Sequence, residues 1–198
     1  HVNIDAIEEY QEVEERFTFL STQRDDLVEA SSQLATVIAE MDTIMNSRFK
    51  KAFLQLSEQF NISFRRLFGG GEAALVLSDP KHMLETGVEI EVHPPGKKVN
   101  HYNLLSGGEK TMIGIALMFA MLAVRPTPFC MMDEVDAALD EANIERFTSY
   151  LQEQAGKSQF VMITHRQSTM EAAAVLWGLT MEEEGVSKVV SVKLNQTR

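Results

Sequence analysis

The sequence predicts an α/β fold preceded by a long coiled-coil helix, and three features carry that expectation. Residues 5–68 contain neither proline nor glycine and repeat their apolar positions at alternating intervals of three and four. Phe129–Met132 and Phe160–Ile163 are short apolar runs on either side of a helix-like stretch, the layout of a βαβ unit with parallel strands. Between these regions, Asn103–Lys110 (NLLSGGEK) leads straight into the helical run Thr111–Val124. The glycine triplet at 69–71 is the expected boundary between an arm and neck helix over 1–68 and a lobe over 69–198.

Composition narrows the possibilities. A chain of 198 residues with 44% apolar content can bury a real core, as one domain or two small ones. It begins at His1, as a piece cut from something longer would. One cysteine, Cys130, rules out an internal disulfide framework and fits a reducing, cytoplasmic setting. No signal peptide is visible, and the longest apolar run, Met112–Val124, is shorter than the ~20 residues of a bilayer span, so no membrane is expected. The net charge of −11 argues against this chain gripping DNA alone, because neutralising phosphates takes clustered Lys and Arg.

In the arm, counting by threes and fours from Tyr10 reaches Val13, Phe17, Leu20, Arg24, Leu27, Ser31, Leu34, Ile38, Met41 and Met45. Nine of these eleven positions are apolar, a heptad seam over five heptads and hence one strand of a coiled coil. After Met45 the spacing slips by one, to Phe49, Phe53, Leu56, Phe60, Phe64 and Leu67. Such a stutter locally unwinds a supercoil, and phenylalanines are too bulky for a regular two-stranded seam. They are expected to plug into a globular body.

Beyond the glycines, Ala73–Ser78 and Val88–His93 read as strands joined through Asp79-Pro80 and Gly87, and Pro94–Lys98 as a turn. Arg125–Pro128 breaks the chain after the apolar helix. Phe129–Met132 is expected as a buried strand, then a helix from Glu141 to about Gln154 capped by Asp140, then a second buried strand over Phe160–Ile163. A short helix over Thr169–Ala174 and strands over Val175–Thr180 and Lys188–Leu194, around a turn at Glu182–Gly185, complete the lobe.

Ser106-Gly107-Gly108-Glu109 has the form of a capping box, with Ser106 as N-cap and Glu109 reaching back to it. The cap does not explain the glycines, each of which costs about 1 kcal/mol against alanine inside a helix. Bare backbone at a helix N-terminus suits an anion, which then meets unpaired N–H groups and the positive end of the dipole. Phosphate binding is therefore expected at Ser106, Gly107 and Gly108. Parallel strands also bring Asp133, Glu134 and His165 to the carboxyl edge of one sheet, where open α/β folds place ligands. An aspartate there suits Mg²⁺, and a glutamate beside it can take a proton from water attacking a phosphate. Each residue alone would be unremarkable. Together they point to nucleotide triphosphate hydrolysis. A G-x-x-x-x-G-K-[ST] phosphate loop occurs nowhere, since neither Gly96-Lys97-Lys98 nor Gly108-Glu109-Lys110-Thr111 matches it.

LSGGEK, FCMMDEVDAALDEAN and VMITHR resemble the signature, Walker B with D-loop, and switch-histidine motifs of ABC-type ATPases. With TMEAAAVLWGLTMEEEGVSKVVSVKL and the leading coil, essentially the whole chain is similar to the SMC (structural maintenance of chromosomes) family, bacterial condensin SMC above all. The resemblance implies the C-terminal lobe of an ABC-type ATPase head, a mixed or parallel sheet flanked by helices. It implies that Ser106, Gly107 and Gly108 meet the γ-phosphate of ATP held by a second head, with Glu109 in the same motif. Asp133 would serve Mg²⁺, Glu134 would be the general base, Asp140 would lie in the D-loop at the dimer interface, and His165 would sense the γ-phosphate. Glu109 stands where transporters usually carry Gln, as is normal in SMC-type proteins, and Met131-Met132 replaces the commoner branched residues. The implied partners are the N-terminal half of the head with its Walker A loop, a second SMC head, a kleisin subunit, and DNA through the assembled complex. The implied location is the cytoplasm, at the nucleoid.

Three other readings share parts of this pattern. A RecN-like or zinc-hooked repair ATPase has the same motifs and differs mid-coil, a region outside this chain. A structural coiled-coil protein with a degenerate head would not be expected to keep Ser106, Asp133, Glu134 and His165 together. A transporter subunit would lack the heptads.

Overall fold

The computed structural model describes residues 6–96 and 102–193. Helix α1 runs from Ala6 to Phe68, and the chain divides after Lys50 into two units, 1–50 and 51–198. Within the first, the nine apolar seam side chains are all exposed, from 47% at Met45 to 71% at Leu27. An exposed heptad stripe is what one strand of a coiled coil presents before its partner is in place.

In the second unit the same helix changes character. Phe60, Phe64 and Leu67 are fully buried, with Phe53 and Leu56 packed partly against them. Phe64 stacks on Phe68 with ring centroids 4.2 Å apart. The slip in spacing after Met45 is thus followed by the turn of apolar side chains from solvent into a core. Asn61 Oδ1 and Ser57 Oγ accept from the Ala73 and Leu75 N–H groups, at 3.0 and 3.1 Å. Four helical residues rise about 6 Å and two strand residues about 6.6 Å, so the two side chains match alternate donors of one strand edge.

Gly69 (φ +72°), Gly70 and Gly71 end α1, and the Gly70 N–H returns to the Arg65 carbonyl at 2.9 Å. Gly71 is the demanding position, because at φ +83° an added Cβ would lie 2.4 Å from the His93 carbonyl oxygen. Gly71→Ala is expected to lower stability by about 2–4 kcal/mol, from left-handed strain plus a clash with backbone. Urea unfolding of the two chains checks it, and an unchanged midpoint would contradict it.

Strands β1 (Glu72–Leu77) and β2 (Val88–His93) pair antiparallel, with Glu72 opposite His93. Between them the Asp79 carboxylate accepts from His82 and from the Lys81 N–H, which holds its pKa below the ordinary value. A single 3₁₀ turn at Tyr102–Leu104 precedes α2 (Gly107–Val124), the helix around which the core is built. α2 begins at Gly107, directly after Ser106, as the capping-box reading expects. By length and composition α2 is apolar enough to cross a bilayer, so the count from Met112 understated it. Met112, Ile113, Ile115, Ala116, Phe119 and Ala120 are nevertheless buried against protein. Phe119 meets Tyr150 edge-on at 4.7 Å, with Phe147 and Phe160 at 6.2 and 6.1 Å.

β3 (Phe129–Asp133), α3 (Glu141–Gln154) and β4 (Gln159–Ile163) form the expected βαβ unit, β3 and β4 pairing in parallel with Asp133 opposite Ile163. The expectation that both strands are buried is corrected. Cys130, Met132, Phe160 and Met162 pack against the core, whereas Phe129, Met131, Val161 and Ile163 are 59%, 67%, 42% and 55% exposed. The strands are apolar on both faces, and the described residues cover only one. Burial pushes the Cys130 thiol pKa up, so it is a packed side chain and a reluctant nucleophile.

The short helix α4 spans Gln167–Glu171, earlier than the expected Thr169–Ala174. β5 (Val175–Glu183) and β6 (Val186–Lys193) make an antiparallel hairpin about Gly185, both strands longer than expected. Leu194, expected to end the last strand, and Lys97-Lys98 lie outside the described residues. Among the described residues, the mixture of parallel and antiparallel pairing falls in three separate two-stranded sheets.

Candidate functional site

Ser106 is the N-cap of α2, with extended backbone (φ −66°, ψ 162°). The Glu109 N–H donates to Ser106 Oγ at 3.4 Å, and Ser106 N–H and Oγ–H donate to Glu109 Oε2 at 3.0 and 2.9 Å. The capping box is therefore complete. The glycines behind it have different reasons to be there. A Cβ on Gly108 would stand 2.9 Å from the Ala138 carbonyl oxygen, so that position is bare because the 137–140 loop lies on it. A Cβ on Gly107 would meet nothing within 4 Å, so packing makes no demand there and the backbone simply stays uncovered. Both N–H groups belong to the first turn, which has no carbonyl one turn earlier to receive them.

Beside this turn lies a cavity of about 380 Å³ lined by Ser106, Gly108, Glu109, Ala138, Asp140 and Asn143. Asp140 is itself the N-cap of α3, its Oδ1 accepting from the Asn143 N–H at 2.9 Å. Two helix N-termini thus share one cavity, and both dipoles present their positive ends to it. Glu109 and Asp140 bring negative charge, but each already accepts from backbone N–H groups of its own helix.

The second group lies at the carboxyl edge of β3 and β4. Glu134 follows the last β3 residue, donates its N–H to the Ile163 carbonyl at 2.9 Å, and turns at φ +47°. Among the described residues it is the only non-glycine with positive φ, a conformation that costs roughly 1–2 kcal/mol. Strain of this kind collects where a side chain must be aimed. His165 Nδ1 stands 3.9 Å from Glu134 Oε1, both side chains being more than 60% exposed. That distance is too long for a hydrogen bond, so neither of these two atoms is taken up by the other. Asp133 is exposed at the end of β3. Among the described residues no three His, Cys, Asp or Glu side chains gather as a metal cage. Mg²⁺ needs no such cage, because it takes one or two carboxylates and fills its shell with water and phosphate oxygens. One exposed hard-oxygen donor at Asp133 fits that requirement.

The structure therefore brings Ser106, Gly108, Glu109 and Asp140 together around one cavity and sets Glu134 beside His165. Asp133, Glu134 and His165 do not line the cavity. Between the two groups sit residues that sequence reasoning passed over. Asp136 is fully buried, and its Oδ2 accepts from the Thr164 and Thr169 hydroxyls at 2.6 and 2.5 Å. Arg166 reaches back with Nη2 to the Ala137 and Leu139 carbonyls, at 2.9 and 3.1 Å. The only sequence signal for Asp136 is an acid set among Val135, Ala137, Ala138 and Leu139; its partners are about 30 residues further on and carry no local trace.

The sequence profile of the RecF/RecN/SMC N terminal domain matches residues 4–188. The chain is similar to the Chromosome partition protein Smc of Bacillus subtilis (strain 168), 54% identical over 197 residues, 100% of this chain and 17% of that protein. Its counterpart in Lactiplantibacillus plantarum is 52% identical over 193 residues, 98% of this chain and 16% of that protein. The chain thus spans 16–17% of the length of these relatives. Among solved structures, the Smc head domain of Pyrococcus furiosus, with an extended coiled coil and bound to the C-terminal domain of ScpA, superposes with TM-score 0.76 at 35% identity, covering 96% of this chain and 48% of that one. A chain from a structural study of ATP-driven dimerization and DNA stimulated activation of SMC ATPases gives TM-score 0.69 at 38% identity, covering 75% and 89%.

Proposed function

The chain belongs to the SMC family, within the wider RecF/RecN/SMC group, and on that premise we propose that it is the signature-bearing C-terminal part of an SMC ATPase head. Completed by the N-terminal, Walker A-bearing half of the head, it binds and hydrolyses ATP between two dimerised heads. That cycle drives DNA entrapment or loop extrusion in chromosome segregation, at the nucleoid in the cytoplasm. The observation that carries this proposal is the division of polar groups into two sets: a cavity between two helix N-termini, and a separate Glu134–His165 edge. Two such half-sites suit a nucleotide shared across an interface better than one bound within a single chain.

Ser106 and the Gly107 and Gly108 N–H groups bind the terminal phosphate of the nucleotide carried by the opposite head, Glu109 holding the cap that orients them. Asp140 fixes the second helix end on the same cavity. Glu134, on its left-handed backbone, accepts the proton of the attacking water. His165 contacts the transferring phosphate. Asp133 would hold Mg²⁺, which when bound supplies charge neutralisation for the phosphates. The uncovered face of β3 and β4 receives strands of the N-terminal half, and the exposed heptads of α1 receive the outgoing arm. A kleisin subunit docks on the head, as ScpA does on the solved Pyrococcus furiosus relative.

Co-expression of this chain with its N-terminal half, followed by light scattering and phosphate release, tests the proposal. Dimerisation that requires ATP, and turnover that requires both halves, are expected. Cleavage of ATP by the isolated chain, or an assembled head indifferent to ATP, would defeat it.

A further inference from the structure

Three side chains, Asp136, Thr164 and Arg166, join the two half-sites, and none of them touches the nucleotide in the proposed mechanism. Gly108, in the first turn of α2, lies under the Ala138 carbonyl. The carbonyls on either side of it, Ala137 and Leu139, are both held by the Arg166 guanidinium. Arg166 follows His165 directly, and its own N–H donates to Thr164 Oγ1 at 3.0 Å. Thr164 precedes His165 and donates its hydroxyl to the buried Asp136 carboxylate at 2.6 Å. His165 is thus clamped on both sides: Thr164 is tied to Asp136 and Arg166 is tied to the 137–140 loop.

The clamp is not an economical way to stabilise a fold. Asp136 Oδ1 and Arg166 Nε are both buried and have no hydrogen-bond partner among the described residues. A buried carboxylate with an unmatched oxygen costs more than an apolar side chain of the same size. Thr169 shares the same Asp136 oxygen but belongs to α4 and does not adjoin His165 in the chain, and it accounts for anchoring alone.

We infer that Asp136, Thr164 and Arg166 are positioning residues that fix His165 and the 137–140 loop as one piece, so that contact at the Gly108–Asp140 cavity sets the placement of His165 beside Glu134. This deepens the ATPase proposal and rests on it. Phosphate arriving at the cavity presses on a loop whose carbonyls are held by the residue next to His165. The loop and the histidine therefore move together or not at all.

The discriminating experiment uses the complete head with both halves present, and compares Thr164→Val, Thr164→Ser and Thr169→Val by steady-state ATPase kinetics and thermal unfolding. Displacing a reacting group by about 1 Å can cost up to a hundredfold, so Thr164→Val is expected to lower kcat by about tenfold or more, with KM for ATP changed by less than about twofold. Thr164→Ser retains the hydroxyl and restores kcat. Thr169→Val loses the twin bond and lowers the unfolding temperature like Thr164→Val, yet keeps kcat within about twofold of the parent. Wild-type kcat in Thr164→Val overturns the inference, as does an equal kcat loss in Thr169→Val. If Thr164→Val failed to fold, Arg166→Met, which removes the donor to the Ala137 and Leu139 carbonyls and leaves the Thr164–Asp136 bond in place, takes its place with a kcat loss at unchanged KM; parent kcat there likewise overturns it. A wild-type head that does not turn over ATP would instead remove the ATPase proposal, and this inference with it.

Discussion

Replacing Glu134 with Gln in the assembled head is expected to cut ATP turnover by roughly a hundred- to ten-thousandfold, the range general base catalysis contributes, while ATP-bound heads still pair. Gln matches Glu in shape and keeps the backbone bond from residue 134 to the Ile163 carbonyl, so the left-handed turn survives. What disappears is the only property assigned to the carboxylate, its capacity to take a proton from water. On the proposed reading, pairing depends on the Ser106–Asp140 cavity, which Glu134 does not line. Phosphate release and size-exclusion light scattering with ATP read the two effects separately. Parental turnover in the variant would strip Glu134 of its role as base.

Ser106→Arg is expected to give the opposite pattern, loss of ATP-dependent pairing in a head that remains folded. The substitution removes both Ser106 side-chain hydrogen bonds of the capping box, a stability cost of about 1 kcal/mol. Stability is not the main casualty. A long guanidinium at this position enters a cavity of about 380 Å³ and fills the space where a phosphate from the other head would sit. It also sets a positive charge against the positive end of the α2 dipole, displacing the first turn. The unfolding temperature should fall only slightly while the dimer vanishes. A variant that pairs normally with ATP would show that the α2 N-terminus does not face the partner's nucleotide.

Much of this architecture was readable from local pattern. Ser106 and Asp140 are where cap chemistry placed them, β2 and α3 have the expected bounds, and the buried Phe60, Phe64 and Leu67 follow the stutter. Each of these depends on interactions within a few residues or on one periodicity. Apart from element bounds such as those of α4, β5 and β6, the misses are tertiary. Periodicity marks β3 and β4 as apolar on both faces but cannot say which chain covers each face. A doubled glycine signals uncovered backbone, and only the fold reveals that Gly108 is bare for the sake of the Ala138 carbonyl. The Asp136 carboxylate joins segments that meet only when β4 lies beside β3.

The seam between the end of α1 and α3 has a mechanical consequence. Ser63 shares a hydrogen bond with Tyr150 at 3.0 Å, Arg66 pairs with Glu153, and Arg146 donates to the Phe68 carbonyl at 3.2 Å. Those three ties run along the rod whose first turn is capped by Asp140. Torque applied to the last turns of α1 would therefore be delivered through this ladder to the cavity wall without passing through any strand.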